Sequence, residues 1–167
     1  ILATGDLSQD ASYESYERLD RALSGFDVPV YWLEGNHDKP APMLQALAAH
    51  REKMSPCVLN VGNWTIVMLD STIPGEVPGE LFDEDLKFLD TALRDAIGEH
   101  LMVCLHHHPV PMECTWLDTQ VVGSADQFFQ VIDRHERMRA IIWGHVHQEY
   151  DAHRNGVRMM AVPSTCV

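Results

Sequence analysis

Apolar positions along the chain switch between two periods: short runs of branched and aromatic residues, and longer stretches with apolar residues three or four apart. Residues 1–4 are a run that stops at Gly5-Asp6, after which Tyr13, Tyr16, Leu19 and Leu23 recur at helical spacing behind Ser12, a capping residue type. Residues 30–33 form a second run, ending at Gly35-Asn36-His37-Asp38 and followed by a short helix that starts near Pro40 and carries Met43, Leu44 and Leu47. Residues 58–59 and 64–70 read as an antiparallel pair around Gly62-Asn63, and Pro74, Gly75, Pro78 and Gly79 make the next segment a surface flap over 73–79. A helix with Phe82, Leu86, Leu89, Leu93 and Ile97 on one face follows; the acids Asp83, Glu84 and Asp85 suit its N-terminus and read as a solvated cap, not a metal site. Residues 101–105 are a buried strand entering His106-His107-His108-Pro109, Phe128, Phe129 and Ile132 mark a helix, and 139–143 is a strand entering Gly144-His145-Val146-His147. Residues 150–154 and 157–162 flank Asn155-Gly156, the strongest hairpin signal in the chain. The order of elements, with two antiparallel hairpins, predicts an α/β layered sandwich of mixed sheets flanked by helices, in one domain over 1–167.

Composition narrows the partners. Twelve basic against 25 acidic residues give a net charge of −13, which repels a long polyphosphate backbone. Apolar runs such as 101–105 fall far short of the roughly 18 residues of a membrane span. Cys57, Cys104, Cys114 and Cys166 show no C-x-x-C spacing and nothing at the N-terminus reads as a secretory signal, so reduced thiols and a cytoplasmic location are expected. The expected partner is a small substrate, with no long nucleic acid and no membrane; a homodimer stays open.

Histidine changes the picture further. Six of the ten lie in three clusters, and four polar clusters in all sit at the carboxyl ends of predicted strands, the edge where open α/β sheets bind ligands. Alone, a Gly-Asp pair is a turn and His-x-His a strand face. Together, the carboxylate of Asp6, the amide of Asn36 and the imidazoles of His107, His145 and His147 form a mixed oxygen and nitrogen set suited to Mn, Fe, Zn or Co. In an extended turn His145 and His147 would point the same way, and Gly5, Gly35 and Gly144 would let the backbones approach.

The ordered set Gly5-Asp6, Gly35-Asn36-His37-Asp38, His107-x-Pro109 and Gly144-His145-Val146-His147 resembles the calcineurin-like metallophosphoesterase superfamily. The triple histidine with proline, Trp116-Leu117-Asp118 and Pro163-Ser164-Thr165-Cys166 make it most similar to the bacterial class III cyclic nucleotide phosphodiesterases that hydrolyse cyclic AMP. The resemblance implies two divalent metal ions and attack on a small cyclic phosphodiester by a metal-bridging hydroxide. Asp6 would bridge the ions, with Asn36, His107 and His145 completing one site and His147 belonging to the other; His107 is chosen because the family's ligand lies two residues before the proline. His37 would act as proton donor or charge stabiliser, oriented by Asp38 or Asp10, while His106 would end the strand. His108, Trp116 and Leu117 would form a substrate wall, with the flap as a second rim. The family's first motif, Asp-x-His on a strand before Gly5-Asp6, is not in these residues, so a domain lacking its first strand and truncated at both ends is expected. Two other readings stay open: a phosphoesterase of the same superfamily acting on glycerophosphodiesters, nucleotides or phosphoproteins, and a non-catalytic metal-binding interaction module.

Overall fold

The computed structural model describes residues 1–165; Cys166 and Val167, named above among the thiols and the closing motif, lie outside the described residues. Two sheets face one another. The smaller pairs β1 (Leu2–Thr4) in parallel with β2 (Tyr31–Leu33). The larger has the order β3-β4-β5-β6-β8-β7, built from β3 (Cys57–Val61), β4 (Trp64–Met68), β5 (His100–Leu105), β6 (Met138–Trp143), β7 (Tyr150–Arg154) and β8 (Val157–Ala161). Its four central strands run parallel, and each edge is closed by an antiparallel hairpin, as the turn signals predict. Asn155 and Gly156 both take positive φ, the geometry of a two-residue hairpin turn.

Period-two alternation assigns the two faces of the large sheet. Leu101, Val103 and Leu105 of β5 pack with Leu89 and Leu93 of α3 (Asp83–Arg94) and with Phe128 and Ile132 of α4 (Ala125–Ile132). Met102 and Cys104 turn the other way, against Leu2 of β1 and Tyr31 and Leu33 of β2. Outside the small sheet, Ala3 and Trp32 meet Tyr16, Leu19 and Leu23 of α1 (Tyr13–Leu23) and Met43 of α2 (Pro40–Ala46). The layers therefore run helices, six strands, two strands, helices. Fully burying a leucine such as Leu89 or Leu93 contributes about 1.5–3 kcal/mol.

Local signals set the helix ends. Ser12 caps α1, its Oγ accepting from Ser15 N at 3.2 Å, a contact that stabilises by about 1 kcal/mol. Asp85 reaches back to Phe82 N at 2.9 Å to start α3. That helix stops at Arg94, so Ile97, expected on its apolar face, is instead 82% exposed in the following turn. Cys57, Cys104 and Cys114 are free thiols, and among the described residues no helix is long and apolar enough to cross a membrane.

Candidate active site

All four polar clusters begin where a strand ends: Gly5 after β1, the Glu34–Asp38 loop after β2, His106 after β5 and Gly144 after β6. The two sheets bring these ends together. Gly5 takes φ +92°, and a Cβ on Gly35 would strike the backbone nitrogen and carboxylate of Asp6, so both glycines are required by the close approach of the two loops. Asp6, His145 and His147 are themselves left-handed, at φ 54°, 63° and 53°. Such strain in non-glycine residues concentrates at functional sites. The extended turn expected around Val146 is thus absent, yet both histidines still line one cleft.

Two of the site expectations are corrected by the triple histidine. β5 ends at Leu105, and His106 continues the Met102 and Cys104 face toward the small sheet. Its Nδ1 lies 2.8 Å from Thr4 O, a pure acceptor, so Nδ1 carries a proton and Nε2 is turned inward. That Nε2 stands 3.4 Å from Asp6 Oδ2, 3.2 Å from Asn36 Oδ1 and 3.3 Å from His145 Nδ1. His107 points to the opposite face: Nδ1 meets Ser71 Oγ at 2.9 Å and Nε2 meets Val77 O at 3.0 Å. A nitrogen of His107 does lie within 4.8 Å of those of His106 and His145, but both its ring nitrogens are engaged by the protein. It is therefore His106, not the expected His107, that faces Asp6, Asn36 and His145, and His107 straps the flap. His108 is fully buried rather than facing a substrate, donating from Nε2 to Leu117 O at 3.1 Å and stacking on His145 with ring centroids 5.6 Å apart.

Asp38 is corrected too. Its carboxylate accepts from Leu7 N, Ser8 N, Gly35 N and the Tyr16 hydroxyl, and among the described residues it makes no hydrogen bond to the His37 ring. Asp10 is likewise occupied by Ser8 and Ser12. Asp38 thus pins the Asp6 loop to the Asn36 loop, while the exposed imidazole of His37 stands at the cleft and its backbone N–H donates to Asp6 Oδ1 at 2.9 Å.

The donor set fits a first-row divalent ion. Bonds of about 2.0–2.2 Å place neighbouring ligand atoms about 2.8–3.6 Å apart at octahedral to tetrahedral angles, and the separations of Asn36 Oδ1, His145 Nδ1 and Asp6 Oδ2 from His106 Nε2, 3.2, 3.3 and 3.4 Å, fall in that range. His145 Nε2 lies 2.8 Å from Gln120 Oε1, leaving its Nδ1 lone pair to face the group. Oxygen and nitrogen atoms grouped in this way around His106 Nε2 suit a divalent cation. Burial works against ionisation of Asp6, but His106 and the His37 N–H more than offset it and hold its carboxyl well below the usual range. Burial, reinforced by neighbouring imidazoles, pushes His145 down to about 3, so it stays neutral and able to ligate.

Asp6, Asn36, His37, His145 and His147 share a cleft of about 510 Å³. Trp116, 69% exposed, and Leu117 line the same cleft as Gly75, Glu76 and Val77 of the flap. His106, Gln120, Ser71 and Tyr16 are contributors that motif reading passed over. Strand alternation counted from Cys104 would have found His106; the other three come from loops or a helix with no signal in the sequence.

This constellation agrees with the match of a calcineurin-like phosphoesterase family model to residues 1–149. The chain belongs to that family. This family member is 42% identical over its whole length to the 3',5'-cyclic adenosine monophosphate phosphodiesterase CpdA of Pseudomonas aeruginosa, and 38% identical to CpdA of Escherichia coli K12. It spans 61% of the length of each of those relatives. Among solved structures, it is similar to a dimetal phosphatase from Danio rerio, at a TM-score of 0.76 and 16% identity over 97% of this chain and 71% of that one. It also matches GAP50, described as the anchor in the inner membrane complex of Plasmodium, at 0.71 and 12% over 98% and 61%. Likeness at such identities shows the calcineurin-like fold alone.

Proposed function

We propose that this chain carries the catalytic site of a metal-dependent phosphodiesterase acting on a small cyclic nucleotide of the 3',5'-cyclic AMP kind. The observation that supports it is the approach of Asp6 Oδ2, Asn36 Oδ1 and His145 Nδ1 to within 3.4 Å of His106 Nε2, from four strand ends, with Asp6, Asn36 and His145 lining a cleft. Those four residues would hold one divalent ion; Asp6, together with His147 on the same cleft, is what this chain offers to a second. Bound there, such ions supply an activated water and positive charge against the phosphate. They also answer the electrostatic problem of an anionic substrate approaching a protein of net charge −13.

The chain's own groups do the rest. His37 reaches the cleft from a backbone anchored on Asp6, placed to protonate the departing ribose oxygen as its bond to phosphorus breaks, and regains that proton from water. Trp116, on the cleft that the flap also lines, offers a flat face for a nucleobase. The names of the relatives favour a cyclic nucleotide over other phosphodiesters.

The test is hydrolysis of cyclic AMP, cyclic GMP, a glycerophosphodiester, a 5'-nucleotide and a phosphopeptide by the protein stripped of metal and refilled with Mn, Fe, Zn or Co. Opening of the cyclic nucleotide, lost on stripping and restored on refilling, is expected. Preference for another ester would move the protein elsewhere in its family, and metal uptake without turnover would make it a binding module. His37→Ala should lower kcat by about 10²–10⁴ with bound metal unchanged; equal loss of both would overturn its assignment.

A further inference from the structure

Gln120 closes a 3₁₀ turn, Leu117–Gln120, in the loop that carries Trp116 into the cleft, and it is only 6% exposed. Its amide has two partners of opposite kind. Nε2 faces Trp116 O at 3.5 Å, a long contact to a group that can only accept. Oε1 faces His145 Nε2 at 2.8 Å. The Trp116 carbonyl decides which end of the amide is NH2, and the amide oxygen then requires a proton on His145 Nε2. A neutral imidazole has one N–H and one lone pair, so the lone pair is left on Nδ1, the atom 3.3 Å from His106 Nε2. From the other side, His108 stacks on His145 and holds Leu117 O of the same turn.

We infer that Gln120 is a positioning residue for the metal site: it holds His145 in the Nε2–H tautomer, with Nδ1 aimed at Asp6, Asn36 and His106, from the turn that bears the substrate wall. This rests on the metal-binding reading above. The outer partner of a ligating histidine commonly changes metal affinity by about 10–100-fold. Nothing in the motifs marks Gln120, because it lies 25 residues from His145 in a loop with no regular pattern.

The experiment compares the parent protein with Gln120→Leu, Gln120→Met and Gln120→Glu. In metal-free protein, the 15N shifts of His145 should show a single Nε2–H tautomer in the parent and in Gln120→Glu, which keeps an acceptor, and a mixture in Gln120→Leu and Gln120→Met. Titration with Co2+ should show affinity falling about 10–100-fold in the two apolar variants, with an altered Co2+ absorption spectrum and recovery in Gln120→Glu. Two apolar variants guard against one failing to fold. Unchanged tautomer and affinity in either folded apolar variant, or no recovery in Gln120→Glu, would overturn the inference. A parent that takes up no Co2+ would instead defeat the metal-binding reading.

Discussion

His106 and His107 are adjacent, both fully buried, and opposite in consequence. One presents its Nε2 to Asp6, Asn36 and His145; the other spends both nitrogens on Ser71 and Val77. His106→Ala should therefore abolish retention of Mn2+ or Co2+ through dialysis. His107→Ala should leave metal content within about twofold of the parent while loosening the flap, seen as faster amide exchange at 75–77. The reverse pattern in a metal assay would restore the motif-based assignment. Asp38 makes a similar point: with four donor groups on its carboxylate, it organises both ligand loops without reaching His37.

Strands supply direction and loops supply the walls. Because β1, β2, β5 and β6 all end at one edge, each presents its polar cluster from a rigid support, and the positive-φ backbones at Gly5, Asp6, His145 and His147 bend away from that plan. The wall is less constrained. Trp116 is 69% exposed, so its ring is free to meet a ligand instead of packing a core. Trp116→Ala should raise KM for the cyclic nucleotide about tenfold with kcat within about twofold, the signature of binding shared by ground and transition states. A fall in kcat with KM unchanged would place the ring at the reacting group instead.

The folded molecule as a whole sets the response to acid. Burial pushes His107 and His145 down to about 3 and lowers His108, so as pH falls below about 6.5 the unfolded chain takes up protons on these three more readily than the folded protein does. Burial pushes Glu34 up to about 7, reinforced by Asp70 and Asp38, and raises Asp38, so these two hold protons in the folded state that the unfolded chain releases. Three groups outnumber two, so stability of the metal-free protein should fall as pH is lowered from 7 to 5. A urea midpoint that stays flat or rises over that interval would contradict this balance. Much of the architecture was legible in the chain. Period-two runs, the Asn155-Gly156 turn, the Ser12 cap and the polar clusters at strand ends are local, so the layered α/β fold and the placing of Asp6, Asn36, His145 and His147 at strand ends followed from sequence alone. Which histidine of three turns inward, what Asp38 holds and how Gln120 meets His145 were decided only by the tertiary structure. These depend on which face of β5 meets the small sheet and on contacts between residues tens of positions apart, and hydrogen bonds of that reach leave no local pattern to read.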